Sequence, residues 1–270
     1  MCRNILHISL NQQLRIEEKM LSRTTAFISI AMLAILLSSC KKEPQAAPKN
    51  GIPAVSQAEP ENKPKSKLDE IFTTEMLSSD LPSLEKLAGK PKDKFGNTRE
   101  YKVGKCPLTV HTDGKSISSI EMKVSPSCTF DISNIAPNLP KNTYAHTLTH
   151  GQFDTITNGG GQFMADCLGM CGNAADPSVY HYWQAPRSDQ FVEFMLATQL
   201  VSDKASNAAS KWENIMRKKE GEDFVLFTKF NCGKYDRDAH RLFKNVPITH
   251  IRVGSGISDD VKKNFTAQCK

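Results

Sequence analysis

The sequence predicts an α+β fold: an antiparallel sheet with helices packed on one face, braced by disulfide bonds. Three observations predict it. Apolar residues recur at helical spacing before residue 90 and again over residues 203–220, they alternate with a period of two over residues 98–124, and cysteines are spread through the body of the chain. The two periods are those of an amphipathic helix and a half-buried strand. Their combination with short hairpin turns favours an antiparallel α+β arrangement.

Two helices are predicted at the start of the folded body. Leu68–Met76 carries apolar residues at helical spacing. Ser79-Asp80 offers an N-cap for a second helix, with Pro82 in its first turn and Gly89 at its C-terminal end. These residue types at these positions are typical helix boundaries.

A three-stranded meander is predicted next. Thr98–Val103 and Pro107–Thr112 alternate apolar and polar residues, and Asp113-Gly114 is a strong hairpin signal. The returning strand ends at Val124 and changes phase near Ser118, which predicts a β-bulge there.

A resemblance accompanies this segment over residues 81–124. It is carried by Leu81–Gly89 with Pro91 two residues later, by Tyr101, and by the hairpin Asp113-Gly114-Lys115. The stretch resembles the module of small outer-membrane assembly lipoproteins of the SmpA/OmlA type, and it is similar to the repeats of β-lactamase-inhibitor-like proteins. In those modules a helix that ends in Gly-x-Pro precedes a Tyr-containing strand and a hairpin. The resemblance implies a fold and a protein-binding role, and it assigns no functional residue.

The rest of the body is predicted as a second α+β lobe. We therefore expect a helix–helix–meander module at 68–135 and this lobe at 136–270, as two similar lobes that share one sheet, although no residue-level repeat is visible. Strands are predicted at 162–168, 179–183, 190–201, 223–230 and 247–253, and helices at 203–220, at 235–243 and from Ser258 to near Cys269. The segment 190–201 is apolar on both faces, so a helix is the alternative there.

Residues 1–39 are predicted to be a signal peptide. Arg23 precedes an apolar run, Thr24–Leu37, which is shorter than the ~20 residues of a membrane-spanning helix and fits the apolar region of a secretory leader. Met20 is the expected start, because the leader then has normal proportions; a long polar segment from Met1 is the alternative.

The end of that run, Leu37-Ser38-Ser39-Cys40, resembles the lipobox of bacterial lipoproteins. The resemblance implies cleavage before Cys40 and a lipid on its thiol, and an uncleaved short anchor is the alternative. Lys41 in the next position favours the outer membrane in enterobacterial lipoproteins. We therefore expect a lipid-anchored protein of the cell envelope that faces the periplasm.

A disordered tether is predicted between Cys40 and the body. Residues 41–67 are rich in Pro, Lys, Glu and Ala with few large apolar residues, and such a segment cannot bury enough surface to fold. The full chain has a net charge of +6, and residues 1–39 hold four basic and two acidic residues, so the remainder carries +4. This small excess, without an arginine-rich helix, does not indicate nucleic-acid binding.

Three disulfide bonds are predicted. Of eight cysteines, Cys2 precedes the expected start and Cys40 carries the lipid, which leaves an even number in an exported body. Six cysteines allow fifteen pairings, and we favour neighbours in the sequence. The predicted bridges are Cys106–Cys128, Cys167–Cys171 and Cys232–Cys269. A redox role for Cys167 and Cys171 is disfavoured, because thiol oxidoreductases use a two-residue gap.

No metal or cofactor is predicted. His146 and His150 are four residues apart, which on a helix would place two imidazoles on one face. However, Thr147, Thr149 and Gly151 favour a strand or a loop here.

No catalytic residue is predicted either. Asp166, Asp176, Arg187 and Asp189 surround an aromatic segment that contains His181, and carboxylates with a histidine can act as acids and bases. Turn and strand-end roles are the simpler interpretation. A periplasmic hydrolase that uses His146, His150, His181 or Asp166 is kept as the alternative.

A partner-binding surface is the preferred functional prediction. Tyr180, Tyr182, Trp183 and Arg187 are of the types that dominate protein-binding hot spots, although packing in the core would also explain the aromatic residues. The expected function is a non-catalytic, inhibitor- or immunity-like lipoprotein, held to the membrane through Cys40, that binds an envelope or incoming protein. A purely structural envelope lipoprotein is a further alternative.

Overall fold

The folded body is built on one antiparallel sheet. The computed structural model describes residues 65–171, 177–186, 192–226 and 229–267, and residues 61–270 form one compact unit. The sheet has eight strands in the order β1-β2-β3-β4-β8-β7-β6-β5. The strands are β1 (Asp93–Phe95), β2 (Thr98–Val103), β3 (Cys106–Thr112), β4 (Ile117–Lys123), β5 (Gln162–Ala165), β6 (Ser178–Gln184), β7 (Glu193–Gln199) and β8 (His250–Gly254).

Seven described helices accompany the sheet: two precede β1, four lie in the connections between strands, and one follows β8. They are α1 (Lys67–Ile71), α2 (Leu81–Ala88), α3 (His150–Thr157), α4 (Asp203–Glu220), α5 (Glu222–Leu226), α6 (Asp236–Phe243) and α7 (Ile257–Val261). The predicted α+β class is confirmed. Among the helices that the structure describes, none is both long enough and apolar enough to cross a membrane.

Strand β8 joins the two halves of the sheet: the first half is β1 to β4, and the second half is β5 to β7. It pairs with β4 on one side and with β7 on the other, so that Val253 lies between Ile120 and Phe194. Residues in register point to the same face of a sheet. The apolar inner face is therefore continuous from the N-terminal meander to the second half.

Most helices cover that inner face. One core cluster packs α1, α2 and α3 against β2, β3, β4, β7 and β8, and a second packs α4, α5 and α6 around Phe163 and Val179. Helix α7 lies on the opposite face, where Ile257 and Val261 pack with Met164. It continues into a π-helical turn, Lys262–Thr266.

The N-terminal half follows the sequence prediction closely. Asp80 caps α2 by accepting a hydrogen bond from the Ser83 amide (3.0 Å), and Gly89 ends it with a positive φ of 82°. Strand β2 has the predicted bounds. His111 pairs with Ser119 and Thr112 with Ile117, which leaves Ser118 as the extra residue of the predicted bulge.

Helix α1 is shorter than predicted. It ends at Ile71, and the following Thr73 hydroxyl accepts a hydrogen bond from the Met76 amide (3.2 Å). A threonine hydroxyl that bonds nearby backbone competes with helix continuation. The apolar spacing through Met76 is therefore satisfied by a turn.

The strand predicted at 223–230 is wrong. Those residues contain α5 and the start of a 3₁₀ turn, Lys229–Asn231. The edge of the sheet at β5 is already closed, because the Phe163 amide donates to Asp236 Oδ1 (3.0 Å) and the Ala165 amide to Asn231 Oδ1 (3.1 Å). Side chains, not another strand, protect this edge.

Other boundaries of the second half also differ. Residues 193–199 form a central strand, which explains why the segment is apolar on both faces. The last helix begins at Ile257 after Gly256, and Ser258 does not cap it; the Ser258 amide donates to Glu193 Oε1 (3.1 Å).

Two predicted disulfide bonds are confirmed, Cys106–Cys128 and Cys167–Cys171. Cys232 is also disulfide-bonded, while its predicted partner, Cys269, lies outside the described residues. The signal peptide, Met20, Cys40 and nearly all of the tether lie outside them as well.

Candidate functional site

Helix α3 begins a buried polar cluster, and the sequence prediction of a strand or loop at its start is wrong. The Thr149 hydroxyl accepts from the Gln152 amide (3.2 Å), and the Gln152 side chain accepts from the Thr149 amide (2.9 Å). This reciprocal pair is a capping box, whose Thr-x-x-Gln signature was visible in the sequence. It places His150 in the first turn and Asp154 one turn later on the same face.

The hydrogen bonds of His150 fix its tautomer. Its side chain is fully buried. The Thr198 hydroxyl donates to the Pro247 carbonyl (2.9 Å), so it accepts from His150 Nε2, which lies 2.9 Å away. A neutral imidazole that donates from Nε2 must accept at Nδ1.

That assignment determines the protonation of His181. Its Nδ1 lies 3.3 Å from His150 Nδ1, and because the His150 atom is the acceptor, His181 donates from Nδ1. His181 Nε2 therefore carries a lone pair. This atom is buried without a hydrogen-bond partner among the described residues, and it lies 3.7 Å from Asp154 Oδ1.

His240 on α6 completes the cluster. Its Nδ1 lies 2.8 Å from Asp154 Oδ1, and its Nε2 lies 2.9 Å from the Gly161 carbonyl oxygen. Both ring nitrogens thus face acceptors. Burial by itself would lower the pKa of His240, but the hydrogen bond and charge of Asp154, with the Gly161 carbonyl, raise it above its usual value.

The other two histidines are held neutral. Burial, with the nearby charge of His240, lowers the pKa of His150 to about 3. Burial also lowers the pKa of His181 well below its usual value. The cluster therefore contains two neutral imidazoles and one that favours the charged form next to a carboxylate.

Aromatic rings and a glycine hold the ring of His181. Phe163 stacks on it with ring centroids 4.3 Å apart, and Phe153 meets it edge-on at 5.2 Å. A Cβ atom at Gly161 would lie 2.0 Å from His181 Nε2. Only glycine therefore fits between the two histidines His181 and His240.

Three ligand-type side chains converge here. One ligand atom from each of Asp154, His181 and His240 lies within 4.8 Å of the others. His181 is fully buried, whereas the side chains of Asp154 and His240 are 19% and 16% exposed. The cluster thus has a dry inner wall and an outer side that reaches solvent.

A groove lies beside this cluster on the same face of the sheet. It encloses about 160 Å³. Its lining is mostly apolar and comes from Thr74, from the turn that follows the 3₁₀ segment Ile132–Asn134, and from α3, β6 and β7 with the residues next to them. The lining residues are Thr74, Ile135, Ala136, Pro137, Asn138, Ile156, Trp183, Ala185, Val192 and Phe194.

The predicted partner-binding residues are split between the two faces of the sheet. Trp183 lines the groove, with Phe153 and Phe194 both 6.1 Å from its ring. Tyr180 and Tyr182 point to the opposite face, because side chains alternate along β6.

There the Tyr180 ring contacts Phe265 at 5.1 Å, and the Tyr182 hydroxyl donates to Glu193 (2.8 Å). Arg187 lies outside the described residues. Of the three members of the set that the structure describes, Trp183 is the one that lines the groove.

The residues of the predicted enzyme alternative are also divided. His150 and His181 meet, as described. His146 Nδ1 instead lies 2.9 Å from the Thr129 hydroxyl, and Asp166 accepts from the Cys167 and Ser178 amides (both 2.8 Å). Asp176 and Asp189 lie outside the described residues.

Two members of the cluster were missed in the sequence. Asp154 and His240 are 86 residues apart, and no short motif links them. The signal that could have found Asp154 is the capping box at Thr149, which fixes the phase of α3. Comparison of the chain with protein-family models, with curated proteins and with solved structures gives no match.

Proposed function

We propose that this protein is a lipid-anchored, non-catalytic lipoprotein of the bacterial envelope that binds another envelope or incoming protein through the groove beside Trp183. The observation that carries the proposal is the groove itself. It is concave, mostly apolar and lined by a half-buried tryptophan. Tryptophan in such a pocket is typical of the few residues that dominate the energy of protein–protein interfaces.

The shape of the groove indicates the partner's chemistry. A cavity of about 160 Å³ has room for one or two apolar side chains. Among its lining residues, Ile156, Trp183 and Val192 are only partly buried, so an inserted apolar group would remove their exposed area from water. We infer a partner that presents a leucine or an aromatic side chain on a loop or strand.

The anchor and tether suit such a role. Cys40 would hold the chain to the membrane, and residues 41–65, which precede the Ser66 N-cap of α1, would extend to at most ~90 Å at full stretch. The folded body could then contact partners within that distance of its anchor point in the membrane. An inhibitor or immunity protein, which must intercept an incoming enzyme, is one form of this function.

Site-specific photo-crosslinking in living cells tests the groove. A photoreactive phenylalanine analogue would replace Ile156, which lines the groove, or Phe95, which is 87% exposed on the edge strand β1. We expect a discrete crosslinked protein band from position 156 and none from position 95. Equal labelling from both positions, or none from position 156, would contradict the proposal.

A matched pair of substitutions tests the tryptophan. Trp183→Ala should abolish the crosslink from position 156, whereas Phe95→Ala should leave it unchanged. Circular dichroism and thermal melting of both variants would establish that the fold is intact. A crosslink that survives Trp183→Ala in a folded protein would exclude Trp183 as the anchor residue.

Cell fractionation tests the lipid anchor separately. Cys40→Ser removes the thiol that would carry the lipid, so the protein should move from the membrane to the soluble fraction. Full retention of the variant in membranes would show that Cys40 is not the attachment point.

A further inference from the structure

We propose that Asp154, His181 and His240 bind one divalent transition-metal ion of the Zn²⁺ type. The proposal goes beyond the protein-binding function, and it stands whether or not the groove has a partner. It rests on the donor atoms, on their spacing and on a buried lone pair that no described residue satisfies.

The donor set suits a transition metal. Imidazole nitrogens and a carboxylate oxygen are standard ligands of Zn²⁺, and three protein ligands with a water in the fourth position form a common Zn²⁺ site. Ca²⁺ and Mg²⁺ prefer oxygen ligands throughout. Two of the three donors here are nitrogen, which favours Zn²⁺ and its neighbours in the first row.

The spacing also suits such an ion. Zn–N and Zn–O bonds of ~2.0 Å in a tetrahedron place neighbouring ligand atoms ~3.3 Å apart. Asp154 Oδ1 lies 3.7 Å from His181 Nε2 and 2.8 Å from His240 Nδ1. One distance is a few tenths of an ångström too long and the other too short, and all three ligand atoms lie within 4.8 Å of one another, so rotations of the three side chains would complete the site.

The lone pair of His181 is the independent observation that points to a ligand. Its side chain has no exposed surface, and within the part of the chain that the structure describes Nε2 is buried without a hydrogen-bond partner. Asp154 Oδ1, 3.7 Å away, is a carboxylate oxygen, which also carries lone pairs and cannot donate a hydrogen bond. A cation placed between the two atoms would satisfy both.

Each histidine already has the outer partner that metal-bound histidines usually have. His181 donates from Nδ1 to His150, and His240 Nε2 lies 2.9 Å from the Gly161 carbonyl. Such contacts fix the tautomer and turn the free nitrogen toward the ion. On binding, the metal would replace the proton on His240 Nδ1, which would pass to solvent.

The surroundings provide a dry wall and an entry path. Phe163 and Phe153 pack on the ring of His181, while Asp154 and His240 keep some exposure to solvent. An ion could therefore enter from the solvent side with a water as its fourth ligand. That open position is the arrangement of catalytic and regulatory sites more than of closed structural ones.

A second histidine–carboxylate pair provides a matched control. His111 Nε2 lies 3.7 Å from Glu121 Oε2, the same separation as in the cluster. This pair is not among the groups of three or more ligand residues found in the described chain. Two ligands alone should bind Zn²⁺ far more weakly than three.

The test is metal titration of the full chain. The protein would be purified without a histidine tag, stripped with a chelator, and titrated with ZnCl₂ by calorimetry and with CoCl₂ by visible absorption. We expect one ion per chain, a tetrahedral Co²⁺ spectrum and a higher melting temperature with Zn²⁺. Failure of a natively folded protein to bind one equivalent would overturn the proposal.

Substitutions locate the site. Asp154→Asn and His240→Gln should each weaken Zn²⁺ binding more than ~100-fold, and His150→Gln, which removes an outer partner, by ~10–100-fold. His111→Gln should leave the affinity unchanged. Unaltered affinity in Asp154→Asn and His240→Gln would place the ion elsewhere and refute the proposal.

Two controls separate folding and partner binding from metal binding. Asp154→Asn keeps the size of a partly exposed side chain, and its amide oxygen can still accept from His240. Without metal it should remain folded, with a native circular dichroism spectrum and a cooperative melt, although loss of the carboxylate charge next to His240 should lower its melting temperature. Trp183→Ala should keep full Zn²⁺ affinity, because its side chain lines the groove and not the cluster. A loss of the partner crosslink with normal Zn²⁺ binding would thus leave the metal proposal intact, and the reverse result would leave the groove proposal intact.

Discussion

The two halves of the sheet bury different types of side chain on the same face. On β3 and β4 the inner side chains Leu108, Val110, Ile120 and Met122 are apolar and almost fully buried. On β6 and β7 the corresponding face includes His181 and Thr198, also buried. The inner face of β3 and β4 is thus an ordinary hydrophobic core, whereas that of β6 and β7 includes polar groups, which are costly to bury unless they are paired.

The difference indicates where selection for function lies. A fully satisfied polar network rigidifies a core, but a partly satisfied one destabilises it. Both ring nitrogens of His150 and the Nδ1 atom of His181 have hydrogen-bond partners. His181 Nε2 has none among the described residues. Places where a protein departs from the rules of a stable core are expected to be functional sites. The first half also buries polar atoms without a described partner, at Tyr101 and His111, and Ser133 after β4 has another. Among the described residues, however, it is His181 that lies in a group of three ligand-type side chains, so the second half would be the one that also serves binding.

The largest expected effect is a cavity in the first half. Leu108→Ala removes a fully buried side chain and should lower the free energy of unfolding by about 2–5 kcal/mol. Lys102→Ala, at an exposed position of β2, should change it by less than about 0.5 kcal/mol. Urea denaturation measures both, and a small effect at Leu108 would show that this half does not form the stable core.

The same experiment in the second half should give a smaller loss. In His181→Leu an apolar side chain fills the space of the imidazole, but His150 Nδ1 loses its hydrogen-bond donor. An unsatisfied buried polar atom costs about 1–3 kcal/mol. In metal-free buffer, a loss larger than that of Leu108→Ala would reverse the comparison between the halves.

The disulfide bonds offer the second comparison. The Cys106–Cys128 bond closes a loop between residues that are 22 positions apart in the sequence, whereas the Cys167–Cys171 bond closes a loop between residues that are 4 positions apart. In the chain-entropy model these loops contribute about 3 and about 2 kcal/mol. Paired Cys→Ala variants, compared by urea denaturation, should therefore destabilise the first half more. An equal or opposite order would mean that native-state contacts around Cys167 outweigh loop entropy.

The sequence predicted the first half better than the second for a physical reason. In the first half each element is followed by its neighbour in the sheet, so that the local signals at Asp80, Gly89 and Ser118 were sufficient. Strand β8 pairs with strands that precede it by many residues. Local periodicity contains no information on such pairing.

The candidate metal cluster shows the same limit. His150 and His181 could be named from the sequence as histidines of interest, but their meeting depends on α3, and the strand-or-loop prediction there was wrong. His240 joins them from α6, which packs against α3 only in the folded protein. Ligands that come together through tertiary packing leave no spacing motif, whereas those on one helix do.

A double-mutant cycle tests whether the polar network acts as a unit. His150→Leu and His181→Leu each leave the other ring unpaired, whereas the double variant removes both polar partners and leaves Thr198 bonded to Pro247. The double loss should therefore be smaller than the sum of the single losses, by roughly 0.5–3 kcal/mol.

The matched cycle crosses the two halves. His181→Leu combined with Leu108→Ala joins sites that lie four strands, or ~19 Å, apart, and their effects should add within about 0.5 kcal/mol. Additivity in both cycles would mean that the histidines are independent packing residues.

The smallest expected effect lies at the seam between the halves, where Glu121 of β4 pairs with Arg252 of β8. Burial raises the pKa of Glu121, but the nearby His111 and the charge of Arg252 outweigh it, so that the pKa lies below its usual value of 4.5. A carboxylate with a lowered folded-state pKa stabilises the protein above its unfolded-state pKa, and that contribution is lost as the pH falls through the folded value.

The expected result is a shallower acid dependence in Glu121→Gln. The variant should lose less stability than the parent protein as the pH falls below about 4.5, while the two should run parallel above about pH 8, where the neighbouring His250 is neutral with or without Glu121. Urea denaturation from acid to mildly alkaline pH measures the difference, with Glu100→Gln on β2, two strands away from β4, as the control. If Glu100→Gln reduces the loss of stability at acid pH and Glu121→Gln does not, the carboxylate responsible for that loss does not lie between β4 and β8.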